Sequence, residues 1–94
     1  TDDKVKVTRG GHYLELKPGE YVVIGVFSEF EHAELFSDNL FERGYKTRFG
    51  FISETKLWYV HLYESEDGDV ARKERDKFRT LHLFKNAWVL SVEQ

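Results

Sequence analysis

The residues best suited to chemistry in this chain sit on strand-like segments, at alternating positions. Leu57 to Tyr63 reads as a strand. Trp58, Val60 and Leu62 form one apolar face, and Tyr59, His61 and Tyr63 form the other. Tyr45 to Ile52 alternates in the same way, with Tyr45, Thr47, Phe49 and Phe51 inward and Lys46, Arg48 and Gly50 outward. Tyr21, Val23 and Gly25 complete the outward set, and Trp88 joins it on a strand whose two faces look alike. This set suits a sugar. Aromatic rings lie against the apolar faces of sugar rings, and tyrosine hydroxyls add hydrogen bonds. Arg48 and His61 could bond hydroxyls, amide carbonyls or a carboxylate. Each residue also has a plainer reading. Tyr59 and Tyr63 suit cross-strand pairs, Lys46 and Arg48 are ordinary solvated strand residues, and Trp88 belongs as readily to a core. His61 has no special signature of its own, and Gly25 could merely relieve crowding beneath a helix. Convergence on one face is what favours binding.

The elements that must position these residues come as a near repeat. Tyr21-Val22-Val23-Ile24 is echoed 38 residues later by Tyr59-Val60-His61-Leu62, and at the same offset Ala33 is matched by Ala71 and Leu40 by Phe78. Each unit is an apolar strand followed by an amphipathic helix, which buries its strand face only by pairing with its twin. The first helix is expected from Ser28, whose Ser-x-x-Glu spacing to Glu31 fits a capping box, to about Arg43, with Gly44 at a left-handed C-cap. The second spans about Asp67 to Leu81, and Asn86 to Val92 closes the domain. Ser53 to Lys56 is a polar hairpin turn. The predicted order is β-α-β-β-α-β. This is an α+β, ferredoxin-like or RNP-like sandwich, with a four-stranded antiparallel sheet and two helices on one face.

Residues 1–19 stand outside the repeat as an N-terminal hairpin or arm. Val5-Lys6-Val7 and Tyr13 to Leu16 are its two short strands, turning at Gly10-Gly11. Residues 20–94 form the main unit. The hairpin could also cover part of the sheet.

These residues resemble the bacterial sporulation-related repeat (SPOR) domain. The first strand of that family reads loosely Tyr-x-Val-Gln-x-Gly-x-Phe, followed by a short polar link and a helix with an early alanine. Here Tyr21 to Ser28, then Ala33, Leu40 and Gly44-Tyr45, stand in those places, and the second half gives Tyr59 to Leu62, Ala71 and Phe78. The likeness spans about residues 20–92. Val23 replaces the family glutamine, and Tyr63-Glu64-Ser65 stands where the second repeat has Gly-Pro-Phe. The resemblance implies binding of peptidoglycan glycan strands stripped of their peptides, in the bacterial cell envelope, the periplasm by inference. Tyr21, Val23, Arg48, Tyr59, His61, Tyr63 and Trp88 would carry that binding.

Composition narrows the alternatives. Ninety-four residues make one small domain, and 16% aromatics exceed what a minimal core needs. A net charge of −3 argues against a broad grip on nucleic acid or anionic lipid. Lys56 to Tyr63 superficially resembles the third-strand aromatic motif of RNA-recognition domains, without the glycine that follows the basic residue there. No stretch is apolar enough to insert into a membrane. The chain opens at Thr1 and reads as a piece of a longer protein. It has no cysteine, and His12, His32, His61 and His82 lack metal-ligand spacing. Nothing resembles a nucleophile elbow or a phosphate loop. The expectation is a noncatalytic binding module without a cofactor. The alternative is a module that docks a partner protein or a second copy through its open sheet face.

Overall fold

The computed structural model describes residues 3–6 and 12–93. Its elements run β1 (Asp3–Lys6), β2 (Gly19–Phe27), α1 (Phe30–Glu42), β3 (Arg48–Ile52), β4 (Leu57–Ser65), α2 (Gly68–Arg79), a 3₁₀ turn (His82–Phe84) and β5 (Trp88–Glu93). The fold is α+β, with two helices and a five-stranded mixed sheet ordered β1-β5-β2-β4-β3. The expected sheet of four antiparallel strands is corrected by one strand. β2, β3, β4 and β5 pair antiparallel with one another, and β1 adds in parallel to β5.

The repeat explains the centre of this arrangement. β2 and β4 lie side by side and antiparallel. Val22 and Val60, equivalent positions of the two units, are both fully buried on the helix side, as are Ala33 of α1 and Ala71 of α2. Alanine at each helix–sheet contact lets the helix axis approach closely. Two apolar clusters form this layer. One joins Val22, Leu40, Ala71, Phe84 and Val89; the other joins Ala33, Trp58 and Val60.

Local signals were mostly sound. Gly44 has φ +97°, the Gly44 N–H donates to the Phe41 carbonyl, and the Tyr45 N–H donates to the Leu40 carbonyl, which is a Schellman stop. The start of α1 differs. Glu29, not Ser28, occupies the N-cap position, and no side chain caps it. Asp67 does cap α2, accepting from the Asp69 N–H at 2.8 Å. α2 stops at Arg79, short of the expected Leu81, which is exposed while Phe84 of the 3₁₀ turn fills the core.

The N-terminal segment is not a hairpin among the described residues. β1 lies at one edge of the sheet, beside β5. Glu15 bridges in parallel to Phe51, at the other edge, beside β3. The expected turn at Gly10-Gly11 lies outside the described residues.

Candidate functional site

The sheet face opposite the helices is covered. Tyr21 is 3% exposed, Tyr59 4% and His61 4%, and Val23 and Leu90 are fully buried. They form a third apolar cluster with Leu16, Ile52 and Val92, against which Val5, Leu57 and Trp88 pack. The expectation of a bare aromatic platform is therefore corrected. Among the described residues, the strap Leu14 to Pro18, which crosses from the edge of β3 to the start of β2, supplies part of that cover through Leu16. Its course is fixed by specific contacts. The Leu16 N–H donates to the Phe51 carbonyl at 3.0 Å, and the Phe51 N–H donates to the Leu14 carbonyl at 2.9 Å. The Glu15 carboxylate accepts from the Ser53 N–H at 2.8 Å and from the Ser53 hydroxyl at 2.5 Å. Leu16 drops over Gly50. A Cβ there would lie 2.3 Å from a Leu16 methyl, so only glycine leaves room.

Two residues of the expected set change face. The β2–β4 register runs Val22↔Tyr63, Val23↔His61, Gly25↔Val60, so Leu62 on one strand and Ile24 on the other are skipped. Each skip is a bulge that reverses the alternation beyond it. Tyr63 consequently packs with Leu62 against the helix-side cluster. Gly25 turns to α1, where an added Cβ would meet the Phe36 ring at 2.9 Å. Trp88 is half-buried on the covered face, pairs with Val23 across the β2–β5 ladder, and meets the Tyr59 ring with centroids 6.4 Å apart. Tyr59 and Val23 are core residues here, and the Tyr59 hydroxyl donates to Thr55 at 2.9 Å.

Tyr21, Arg48 and His61 are brought together. They line a cleft of about 270 Å³ between strap and sheet. Tyr13 to Lys17 form its outer wall, Tyr21 and His61 its floor, and Arg48 and Glu64 its rim. Arg48 and His61 are Cα partners in the β3–β4 ladder, and the Arg48 guanidinium stands 3.9 Å from the Glu64 carboxylate. Glu64 and Lys17 stand outside the expected site set, while an N-terminal segment over part of the sheet is among the expectations. A second hollow of about 300 Å³ adjoins, sharing Lys17, Tyr21 and Glu64 and reaching Pro18 and Ser65.

The floor is polar but uncharged. Burial and then the nearby Arg48 lower the His61 pKa to about 4, so its imidazole is neutral at pH 7. Burial, then the Glu64 charge, raise the Tyr21 pKa to about 12, and its hydroxyl donates to the Lys17 carbonyl at 2.5 Å. Among the described residues none hydrogen-bonds to the His61 ring. Among the described residues no fully buried side-chain nitrogen or oxygen is without a partner, and His61 lines the cleft. A neutral imidazole offers one donor and one acceptor. The Tyr21 oxygen still accepts, Arg48 donates and Glu64 accepts. The cleft can therefore satisfy hydroxyl groups, which need both roles, and a carboxylate near Arg48.

No group of three or more His, Asp or Glu among the described residues is placed to hold a metal ion. No described helix is long and apolar enough to cross a membrane. No family model, curated protein or solved structure matches the chain.

Proposed function

We propose that this domain is a noncatalytic binding module for a glycan, and that the cleft floored by His61 is its site. The reading rests on one observation. A neutral histidine 4% exposed lines one cleft together with Tyr21, Arg48 and Glu64. Such a convergence of donors and acceptors on a single cleft is a place for a ligand. Neutral His61, the Tyr21 oxygen, Arg48 and Glu64 together match a hydroxyl-rich ring.

Size decides how much of a glycan is held. At about 270 Å³ the cleft lies just below the ~300–1,000 Å³ of pockets that enclose drug-sized ligands. It takes one sugar unit, and the adjoining hollow takes a second. A long strand lying across the whole sheet is not accommodated while the strap is in place. The SPOR-like pattern, with its βαββαβ core order retained in β2 to β5, makes a peptide-stripped peptidoglycan strand of the bacterial envelope the ligand of choice. Its free lactyl carboxylates would meet Arg48. Val23, Tyr59 and Tyr63 support the floor and core, and Trp88 backs Tyr59.

The test is a pull-down with sacculi treated by amidase, compared with untreated sacculi. The domain should sediment with the treated material and His61→Phe should not, while its fold by circular dichroism is retained. Equal recovery of both forms, or none of the intact domain, refutes the proposal.

A further inference from the structure

The outer edge of β3 is only half used. Phe51 turns its backbone outward, to Leu14 and Leu16. In an antiparallel ladder the outward residues alternate, so the Phe49 N–H and carbonyl also point away from β4. Among the described residues, no turn, loop or cap hydrogen bond reaches them. A groove of about 360 Å³ opens beside them, between Ser37, Asp38 and Phe41 of α1 and Thr47 to Phe49, with Leu14 at its end. Phe41 is 64% exposed on its wall. The opposite sheet edge is different, because exposed Lys4 and Lys6 blunt β1.

The chemistry of an occupant follows from the two sides of the unused stretch. Leu14 to Leu16 shows that this edge accepts a parallel segment through its backbone. The unused stretch has one apolar and one basic side. Phe49 and Phe41 present apolar surface on the helix side, and Arg48, with 80% of its side chain exposed, stands on the other face. Lys46, also exposed, adds positive charge to the approach. Asp38 on the α1 wall disfavours an acidic residue there, which fixes the phase: apolar side chains toward α1, acidic ones toward Arg48.

We propose that the Phe49 end of β3 captures an extended segment of a partner protein whose residues alternate apolar and acidic, added as a further strand. The site is separate from the saccharide floor, and the two share only the rim residue Arg48 with Leu14 and Phe49 of the wall.

The probe is a synthetic peptide of alternating leucine and glutamate, titrated into the 94-residue chain. Its lysine-for-glutamate counterpart and a version with alternate amides N-methylated serve as controls. The glutamate peptide should slow hydrogen exchange of the Phe49 amide at least tenfold. Both control peptides, and the variant Phe41→Ser, should bind at least tenfold more weakly. Phe41→Ser should leave saccharide binding unchanged, which separates this proposal from the cleft. Unchanged exchange at Phe49 overturns it, as does equal binding of the lysine or N-methylated peptide. Protection of Phe49 that grows with protein concentration and needs no peptide overturns it in favour of a second copy.

Discussion

The Tyr21 ring meets the His61 ring edge-on, with centroids 4.9 Å apart and planes at 66°. The two come from the neighbouring central strands and lie under the same strap. Their contact helps remove the imidazole from water at the floor of the cleft. The first consequence is a dependence of stability on pH.

His61 carries a folded pKa of about 4 against 6.5 in the unfolded chain. The unfolded state therefore binds the proton first as pH falls. Stability should be intact above about pH 6.5 and be lost progressively down to about pH 4, a total on the order of 3 kcal/mol. Urea denaturation at intervals from pH 7.5 to 4 measures it. His61→Phe should flatten that part of the curve, and an unaltered slope would contradict the assignment.

Tyr21 gives the opposite limb. With its pKa raised from 10 to about 12, the unfolded chain loses the phenolic proton first, so stability should decline as pH rises from about 10 to about 12. Tyr21→Phe should remove that decline, seen by ultraviolet titration of tyrosinate alongside unfolding.

Gly50 should tolerate no side chain. Its Cβ would come within 2.3 Å of one Leu16 carbon and 2.8 Å of another. Gly50→Ala should lower stability by about 1–3 kcal/mol, in the range of overpacking. It should also displace the strap, which faster hydrogen exchange at the Leu16 amide would report.

Ser37 and Thr47 tie the middle of α1 to the chain entering β3. The Ser37 hydroxyl donates to Thr47 at 2.9 Å, and the Thr47 hydroxyl donates to the Ser37 carbonyl at 2.8 Å. Both residues are buried. Thr47→Val strands the Ser37 hydroxyl and should cost about 1–3 kcal/mol. The double variant with Ser37→Ala should recover part of that loss, as thermal melts of the cycle would show.

The sequence made the central strands and both helices legible, because a repeated apolar pattern has one economical way to bury itself. Equivalent positions Ala33 and Ala71 are both fully buried, and Gly44 ends α1 as a left-handed C-cap should. The faces were less legible. Alternation assumes an unbroken strand, and the bulges at Ile24 and Leu62 sent Gly25 and Tyr63 to the helix side. The strap was least legible. Leu14 and Leu16 look like one arm of a local hairpin, and nothing near them in sequence announces that Leu16 finds its place over Gly50, 34 residues on. Tyr21, Arg48 and His61 were singled out for an open platform, and they meet instead at the bottom and rim of a cleft.

The cleft itself is tested most directly by nuclear magnetic resonance of the His61 ring, while a disaccharide from peptide-stripped peptidoglycan is titrated into the domain. The His61 ring signals should shift and saturate together with the Arg48 and Glu64 amides. Affinity should fall about 5- to 150-fold in His61→Phe, the equivalent of one buried hydrogen bond at about 1–3 kcal/mol. A ring that stays unmoved while sugar binds elsewhere, or a His61→Phe variant that binds as tightly as the native chain, would contradict the account.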